Sequence, residues 1–305
     1  MDQNNFLGCL LGTAVGDAIG LPTEGLSAVR RARLFGDVTS HRLFFRRGFV
    51  SDDTAHAIMT AQALVASGGD PARFGKALAG RLKWWFLCLP PGVGMATARA
   101  CLKLLVGVSG ERSGVFSAGN GPAMRAPILG LFCASDLDDT RLRALIRVST
   151  RLTHTDPKAE EKALELAEAA RTLPMATELL PGPVSGYIVH TVDAALAIAA
   201  RHPDDLRAAV LETVAQGGDT DTVAAIVGGL IGARVGREGI PDDWLAGLIE
   251  PWWSPKRLEK LADQLSAVSR TGAPQRPDPN CWLATHALLL PLVLAHGLRR
   301  LFPPY

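Results

Sequence analysis

The chain has 305 residues, of which 48% are hydrophobic and 6% are aromatic, so it can build a sizeable core mainly from alanine and leucine. Its formal net charge of +2 gives no general electrostatic case for nucleic acid as the main partner. Five scattered cysteines without metal-type spacing predict reduced thiols in a cytoplasmic protein. The first five residues carry no basic charge, so we expect no signal peptide.

The first predicted helix, residues 6 to 21, carries a glycine at every fourth position. Each glycine inside a helix costs roughly 1 kcal/mol relative to alanine, so a regular stripe needs a structural reason. The stripe consists of Gly8, Gly12, Gly16 and Gly20. A second apolar run, after residue 222, has a matching stripe of Gly228, Gly232 and Gly236. The two stripes predict close backbone contact between two buried helices.

Two acids lie in or just after the first helix. Asp17 is inside the apolar run, where a carboxylate is expensive unless it is paired or placed at a site. It is predicted either to accept structural hydrogen bonds or to support nearby metal ligands. Glu24 follows Pro22 in the turn that leaves the helix, and the residues alone allow a solvated loop acid or a site acid.

Two clusters of acids and hydroxyls open later apolar runs. One is Ser51-Asp-Asp-Thr54 and the other is Gly217-Gly-Asp-Thr-Asp-Thr222. A single such residue is enough to cap a helix, whereas concentrated carboxylate and hydroxyl oxygens suit a hard cation such as Mg²⁺ or Mn²⁺. If the two clusters meet in the fold, their repulsion requires a cation between them. Capping and metal binding both remain open for either cluster alone, and the pair favours a metal site.

Two glycine-containing loops could approach a ligand closely. Gly92 and Gly94 form a turn after a Pro-Pro break, a weak motif for binding phosphate through backbone N–H groups. Residues 117–121, Ser-Ala-Gly-Asn-Gly, are small enough for positive φ angles and close ligand contact, and they precede a helix start. No Gly-Lys-Ser/Thr follows, so this is not a Walker loop. Arg125 is predicted either to bind ligand or to clamp the loop to an acid.

Asp156 followed by Pro157 predicts an N-cap with proline at the first helical position. His154, two residues earlier, is either a structural histidine or a ligand contact. The six arginines in residues 28–47 form either a solvated loop or a basic rim that attracts a phosphate-bearing substrate. Residues 281–298 form an uncharged run of about membrane-spanning length, and because this run stands alone we predict a buried core helix.

Alanine-rich runs with glycine and proline punctuation, and few β-branched alternations, predict an all-α protein with a single domain over residues 1–305. Five motifs then occur in an order that resembles the ADP-ribosylglycohydrolase family, which includes ADP-ribosylarginine and ADP-ribosylserine hydrolases. The motifs are Gly8–Glu24, Ser51–Thr54, Ser117–Arg125, Leu152–Pro157 and Gly217–Thr222. The resemblance covers residues 8–236. It implies a compact multi-helix domain with a dimetal centre between helix starts, on whose core the helices of residues 237–305 also pack.

The resemblance also implies roles for individual residues. Glu24, Asp52 and Asp53 would take part in catalysis, and two divalent cations, Mg²⁺ or Mn²⁺, would be bound. The implied metal ligands are Ser51, Asp52, Asp53, Asp219, Asp221 and Thr222. The implied substrate-binding residues are Gly92, Gly94, Ser117, Gly119, Asn120, Gly121 and His154. Relatives usually have threonine where this chain has Ser51, which keeps the hydroxyl, and many have a small residue at Pro122.

The implied reaction is hydrolysis of the glycosidic bond between ADP-ribose and an arginine or serine side chain of a modified protein. One alternative is hydrolysis of a free ADP-ribose derivative such as O-acetyl-ADP-ribose. Another is a non-catalytic ADP-ribose-binding protein. We expect a cytoplasmic monomer that has no membrane partner and meets nucleic acid only as a modified substrate.

Overall fold

The alanine-rich runs fold as helices, and the prediction of an all-α fold is confirmed. The computed structural model describes residues 1–136, 139–172, 184–249 and 255–299. The helices in these ranges are α1 (Gln3–Gly20), α2 (Ala28–Phe35), α3 (Asp52–Ser67), α4 (Pro71–Leu87), α5 (Met95–Leu105), α6 (Gly110–Ser113), α7 (Ala126–Phe132), α8 (Thr140–Arg151), α9 (Pro157–Ala169), α10 (Ile188–Arg201), α11 (Leu206–Gln216), α12 (Thr220–Val235), α13 (Asp242–Gly247), α14 (Pro255–Thr271) and α15 (Trp282–Arg299). Two short strands, β1 (Leu26–Ser27) and β2 (Gly217–Gly218), pair antiparallel.

Side-chain caps define several helix starts. Asp156 accepts a hydrogen bond from the backbone N–H of Lys158 at 2.9 Å, and Pro157 occupies the first turn of α9, which confirms the predicted N-cap. Asp70 caps α4 in the same way, again with a proline next in sequence. At the C-terminal end of α3, Gly68 adopts the left-handed conformation that favours glycine. These starts and stops follow local sequence chemistry.

Helices α1 and α12 pack antiparallel through the two glycine stripes. A Cβ atom added at Gly12 would stand 2.0 Å from the carbonyl oxygen of Gly228, and one added at Gly8 would stand 1.9 Å from that of Gly232. The predicted close backbone contact is therefore confirmed. One detail differs, because α12 ends at Val235 and Gly236 lies beyond it with a φ of 69°. Gly236 thus caps the helix and is not an interior glycine.

The strand pair fixes the turn after α1 against the start of α12. Leu26 pairs with Gly218, and the N–H of Gly25 donates to the Gly218 carbonyl at 2.7 Å. Gly217 and Gly218 both have positive φ angles, and a Cβ at Gly218 would lie 2.0 Å from the carbonyl oxygen of Val184. Only glycine satisfies both conditions at this position. Consequently, the Glu24 turn lies beside the segment that carries the second acidic cluster.

The core is a continuous cluster of buried apolar side chains that extends from Phe6 in α1 to Trp282 in α15. Only one face of α15 packs against this core, so the prediction that residues 281–298 form a buried core helix is wrong for the other face. The face that packs consists of Trp282, Thr285, His286 and Leu289, at helical spacing. The other face leaves four leucines at least half exposed; they are Leu283, Leu288, Leu294 and Leu298.

Two of the described helices, α1 and α15, are long and apolar enough to cross a membrane by length and composition alone. A core helix passes the same test, and the apolar window of α1 is entirely buried inside the fold. In α15 the buried share of that window is 22%.

Candidate active site

The two acidic clusters meet where the N-terminal ends of α3 and α12 converge. The hydroxyl of Thr222 donates to Oδ2 of Asp53 at 3.3 Å, across 169 residues of sequence. Ser51, which caps α3, donates its hydroxyl to the same carboxylate oxygen at 3.2 Å. The other oxygen of Asp53, Oδ1, is buried and has no hydrogen-bond partner within the described residues. The convergence of the clusters leaves a buried carboxylate oxygen able to accept a further ligand.

Asp17 of α1 holds the start of α3 from behind. Its Oδ2 accepts hydrogen bonds from the backbone N–H of Ser51 at 2.8 Å, from the N–H of Thr54 at 3.1 Å and from the Thr54 hydroxyl at 2.6 Å. Burial raises the pKa of Asp17 to about 6, and these hydrogen bonds oppose the shift. Asp17 is therefore both a structural acceptor and a support for the acidic cluster. The predicted structural role is confirmed, and the role of supporting metal ligands stays a prediction.

The acids of the cluster are buried close to one another, which disfavours their ionised forms. Burial raises the pKa values of Asp52 and Asp221 well above the ordinary value, and the charges of Glu24 and Asp219 raise both further. At Asp53 burial again raises the pKa, with added repulsion from other carboxylates of the cluster. Carboxylates this close disfavour one another's ionised forms. A positive charge at this position would relieve the repulsion.

Glu24 stands at the exposed rim of the cluster. The 3₁₀ turn Leu21–Thr23 carries the chain from α1 to Glu24, and the hydroxyl of Thr23 contacts that of Thr220 at 3.0 Å. Thr220 also donates to the carbonyl oxygen of Gly20 at 2.9 Å, which ties the end of α1 to the start of α12. The structure thus brings Glu24, predicted as a catalytic acid, within electrostatic reach of Asp52 and Asp221.

Asp219 connects the acidic cluster to the small-residue loop. Its Oδ2 accepts a hydrogen bond from the side-chain amide of Asn120 at 2.6 Å, and its backbone N–H donates to Val184 at 2.8 Å. Asn120 also donates to the hydroxyl of Thr191 in α10 at 3.1 Å. A Cβ atom at Gly186 would stand 3.5 Å from the same Oδ2 of Asp219. Asn120 therefore orients a predicted metal ligand, besides its predicted place in the substrate loop.

The loop of residues 117–121 packs around the imidazole of His154. Neither Gly119 nor Gly121 has a positive φ angle, so the expectation that these glycines supply such angles is wrong. A side chain at either position would crowd the imidazole, because a Cβ atom at Gly119 would lie 3.0 Å from Nε2 of His154, and one at Gly121 would lie 3.0 Å from Cε1. Ser117 caps the turn by accepting from the N–H of Gly119 at 3.2 Å. The structure thus brings together the predicted substrate-binding residues of this loop and His154.

The two remaining predicted glycines lie in the turn before α5. Gly92 has a φ of 79°, and a Cβ atom there would stand 3.8 Å from Oδ1 of Asp52. Gly94 is the N-cap residue of α5 and faces open space. The turn therefore borders the acidic cluster through Gly92.

Arg125 is completely buried behind the loop of residues 117–121. It donates from Nη2 to the hydroxyl of Thr153 at 2.8 Å. Within the described ranges no carboxylate pairs with it, and its Nε and Nη1 have no hydrogen-bond partner. The alternative in which Arg125 clamps the loop to an acid is therefore wrong, because Thr153 is the partner.

The donor set of the cluster fits a hard divalent cation. It consists of carboxylate and hydroxyl oxygens, the ligands that Mg²⁺ and Mn²⁺ prefer, and one buried oxygen of Asp53 has no other partner within the described residues. In the side-chain positions of the part of the chain that the structure describes, no three His, Cys, Asp or Glu residues form a metal-holding group. The dimetal centre therefore stays a prediction.

Several residues that support the site were not singled out from sequence. Thr54 could have been, because it lies in the same motif as Ser51 and opens the same helix. Thr23 and Thr220 carry the contact between the end of α1 and the start of α12; both lie inside motifs that the sequence singled out, but their contact with each other was not predicted. Gly186 follows a proline-rich stretch and has no sequence signal for its contact with Asp219.

Comparisons with known proteins identify the family of the chain. The family model for ADP-ribosylglycohydrolase matches residues 2–181 and 159–275. A protein of Archaeoglobus fulgidus described as uncharacterized is 30% identical over 308 residues, which cover 86% of this chain and 96% of the relative. ADP-ribosyl-[dinitrogen reductase] glycohydrolase of Rhodospirillum rubrum is 29% identical over 282 residues, with coverage of 81% and 90%.

Two further comparisons point the same way. ADP-ribosylarginine hydrolase Tri1 of Pseudomonas putida is 28% identical over 299 residues, covering 85% of this chain and 76% of that protein. A solved structure described as an ADP-ribosylglycohydrolase-related protein complex superposes with a TM-score of 0.70 at 30% identity, covering 88% of this chain and 98% of the other. The expected resemblance is confirmed in sequence and in fold, and the chain belongs to the ADP-ribosylglycohydrolase family.

Proposed function

We propose that this protein is a divalent-metal-dependent hydrolase that cleaves the glycosidic bond between ADP-ribose and a side chain of a modified protein, of the arginine or serine type. The family is one of glycohydrolases. Two relatives are named for action on ADP-ribosylated dinitrogen reductase and on ADP-ribosylarginine, which supports a protein substrate. The observation that carries the proposal is the meeting of two acidic helix starts beside a loop suited to a phosphate ligand.

Six oxygen-bearing side chains would hold the two cations. They are Ser51, Asp52, Asp53, Asp219, Asp221 and Thr222. Such cations would orient ribose hydroxyls and lower the pKa of water. Asp17 keeps Ser51 in place through the backbone, and Asn120 holds Oδ2 of Asp219, so both ligands are oriented before a cation arrives.

Glu24 supplies the exposed carboxylate of the site. It is exposed on a short turn, while the other acids of the cluster are wholly or partly buried in helix starts. A carboxylate at the rim can accept a proton from water that attacks the anomeric carbon, where the transition state carries oxocarbenium character. It can equally move away from the cations when substrate enters. Glu24→Gln removes the base and keeps the shape of the side chain.

The loop of residues 117–121 would bind the diphosphate of ADP-ribose. Its glycines present backbone close to His154 without side-chain bulk. Asn120 links this loop directly to Asp219. The diphosphate and the anomeric carbon would therefore be positioned by one connected set of hydrogen bonds, which is how binding energy is used to orient a reacting bond.

The test is a release assay with arginine-linked, serine-linked and DNA-linked ADP-ribose and with O-acetyl-ADP-ribose, each in Mg²⁺, in Mn²⁺ and in EDTA. Asp219→Ala is expected to lower metal-dependent release by roughly 100-fold or more, because it removes a cation ligand. The metal content of the purified variant should fall in parallel. Asp263→Ala, which removes an exposed carboxylate on α14, is the matched control and should behave as wild type.

The outcomes separate the candidate functions. Release from a protein side chain alone supports the proposal, whereas release from O-acetyl-ADP-ribose alone assigns the free derivative as substrate. Binding of ADP-ribose without release from any substrate identifies a non-catalytic binding protein. If Asp219→Ala leaves release and metal content unchanged, the site assignment is wrong.

A further inference from the structure

A buried hydroxyl behind the substrate loop makes three contacts that together fix the position of a proton. Thr153 is fully buried, and its Oγ1 lies 2.8 Å from Nη2 of Arg125 and 2.8 Å from Nδ1 of His154. The third contact, to the carbonyl oxygen of Thr150, is 3.5 Å long. These distances determine which neighbouring atom accepts the hydrogen bond from the Thr153 hydroxyl.

Arginine can only donate hydrogen bonds, so Arg125 occupies one lone pair of the Thr153 oxygen. The hydroxyl hydrogen must then point either to Nδ1 of His154 or to the Thr150 carbonyl. An O–H···O bond is strong at roughly 2.5–3.0 Å and weak beyond that range, so the contact of 3.5 Å to Thr150 is a poor acceptor site. The hydrogen therefore goes to His154, and Nδ1 is an acceptor. In a neutral imidazole the ring proton is then on Nε2.

The charge of Arg125 keeps this imidazole neutral. Burial lowers the pKa of Arg125 to about 10, so the guanidinium remains a cation at neutral pH. Burial and this nearby cation lower the pKa of His154 to about 3. Burial and the same charges also lower the pKa of His56, the neighbouring histidine on α3. A buried cation without a carboxylate is costly, and here it determines the charge state of the histidine behind the loop.

The Nε2 end of the ring faces the substrate loop. It is the atom closest to a Cβ built at Gly119, at 3.0 Å, whereas Cε1 approaches Gly121. Within the described residues, the hydrogen bond of His154 is made through Nδ1 and none is made through Nε2. A donor N–H therefore points toward the loop that the proposed function assigns to diphosphate.

We propose that Arg125 and Thr153 are positioning residues that hold His154 as a neutral imidazole with its proton on Nε2, from which it donates a hydrogen bond to a diphosphate oxygen of ADP-ribose. This inference rests on the proposed function for the identity of the ligand. The inferred position of the imidazole proton does not depend on the proposed function. Diphosphate binding then needs no proton uptake by His154, and Arg125 acts without touching the ligand.

The proton position is tested first, in the metal-free protein without ligand, by ¹⁵N–¹H correlation spectra of the imidazole nitrogens. We expect Nε2 protonated and Nδ1 unprotonated in wild type and in Thr153→Ser, which keeps the hydroxyl. Thr153→Val removes the hydroxyl hydrogen that Nδ1 accepts, so a mixture of Nδ1- and Nε2-protonated forms is expected. Arg125→Met removes the nearby cation, so a doubly protonated ring is expected to appear at a higher pH than in wild type. A wild-type spectrum with the proton on Nδ1 would overturn the inference.

The contact to ligand is tested by calorimetry with ADP-ribose. Glutamine places its amide near the position of Nε2 and asparagine near that of Nδ1, so His154→Gln is expected to bind close to wild type. His154→Asn is expected to bind about ten-fold more weakly or worse, as for a lost hydrogen bond to a charged group. Thr153→Val should also weaken binding, and Thr153→Ser should restore it.

The results distinguish this inference from the proposed function. If glutamine and asparagine at position 154 bind ADP-ribose alike, His154 only fills space behind the loop and the inference is wrong. If wild type binds no ADP-ribose, the proposed function fails together with the diphosphate contact. The spectra still report whether Arg125 and Thr153 set the proton position.

Discussion

Replacing Gly12 by alanine tests whether the glycine stripes hold the site together. The added methyl group would stand 2.0 Å from the backbone carbonyl oxygen of Gly228, in a contact where 3.4 Å or more is ordinary. The two helices would have to separate by more than 1 Å, on the order of the shifts that overpacked cores undergo. No flexible side chain can move aside, because the opposing atom belongs to the backbone.

The expected size of the effect follows from two opposing contributions. Alanine gains about 1 kcal/mol over glycine in a helix interior. Overpacking a tight contact costs about 1–3 kcal/mol, and a rigid backbone obstacle places this case at the upper end. Gly12→Ala should therefore lower the free energy of unfolding by about 2 kcal/mol. It should also weaken cation binding, because the same helix contact ends at Gly20 and Thr220, beside the acidic cluster.

The matched control is Gly80→Ala in α4, where an added Cβ meets nothing within 4 Å. That substitution receives the helix gain alone and should raise the free energy of unfolding by about 1 kcal/mol. Both variants are compared with wild type by urea unfolding, which is monitored by circular dichroism. If Gly12→Ala is as stable as Gly80→Ala, the close packing of α1 against α12 is not what the stripes provide, and the reasoning fails.

Three further predictions follow. His154 has a pKa of about 3 in the folded protein against an ordinary 6.5, so between these pH values the folded protein binds fewer protons than the unfolded chain and loses stability as pH falls below 6.5. This histidine should contribute a decline of about 1.4 kcal/mol per pH unit to the free energy of unfolding, and His154→Gln should abolish that contribution. The measurement is the difference between wild type and variant in the free energy of unfolding as a function of pH. Gly119→Ala, which places a methyl group 3.0 Å from His154, should weaken ADP-ribose binding in calorimetry, whereas Gly80→Ala should not. Leu289→Ala should cost about 2–5 kcal/mol in urea unfolding and Leu288→Ala under about 0.5 kcal/mol, since only Leu289 is buried; equal costs would show that the outer face of α15 is also covered.

Local chemistry made much of the fold predictable. The cap at Asp156 follows from one residue type next to a proline, and the structure has it as predicted. The close contact between α1 and α12 was predictable because glycines at regular spacing destabilise a helix and few structural causes explain such a pattern. Close packing of two helix backbones is one such cause, and it is the one observed. The meeting of Asp53 with Thr222 was a weaker prediction, since it depended on two helix starts converging, and it is also observed.

The sequence alone could not predict contacts between segments that are distant in the chain. The small residues of the 117–121 loop were expected to allow positive φ angles and close ligand contact, whereas Gly119 lacks a positive φ angle and packs against the imidazole of His154, which lies 35 residues further on. Arg125 was expected either to bind ligand or to clamp the loop to an acid, and among the described residues its partner is the hydroxyl of Thr153. The apolar run of α15 does not reveal which of its faces is buried, because leucines occupy all sides of the helix.

The contact between α1 and α12 also constrains how the chain folds during synthesis. The hydrogen bond between Gly20 and Thr220 spans 200 residues, so the partner of the first helix is made late. At roughly 5–20 residues per second, α1 waits on the order of 10–40 seconds on the ribosome before α12 emerges. Fifteen of its residues are buried in the finished fold, and until then they present an uncharged apolar surface apart from Asp17. The acidic cluster therefore cannot be completed before α12 is synthesised, and until then only earlier elements such as α3 and α7 can cover the apolar surface of α1.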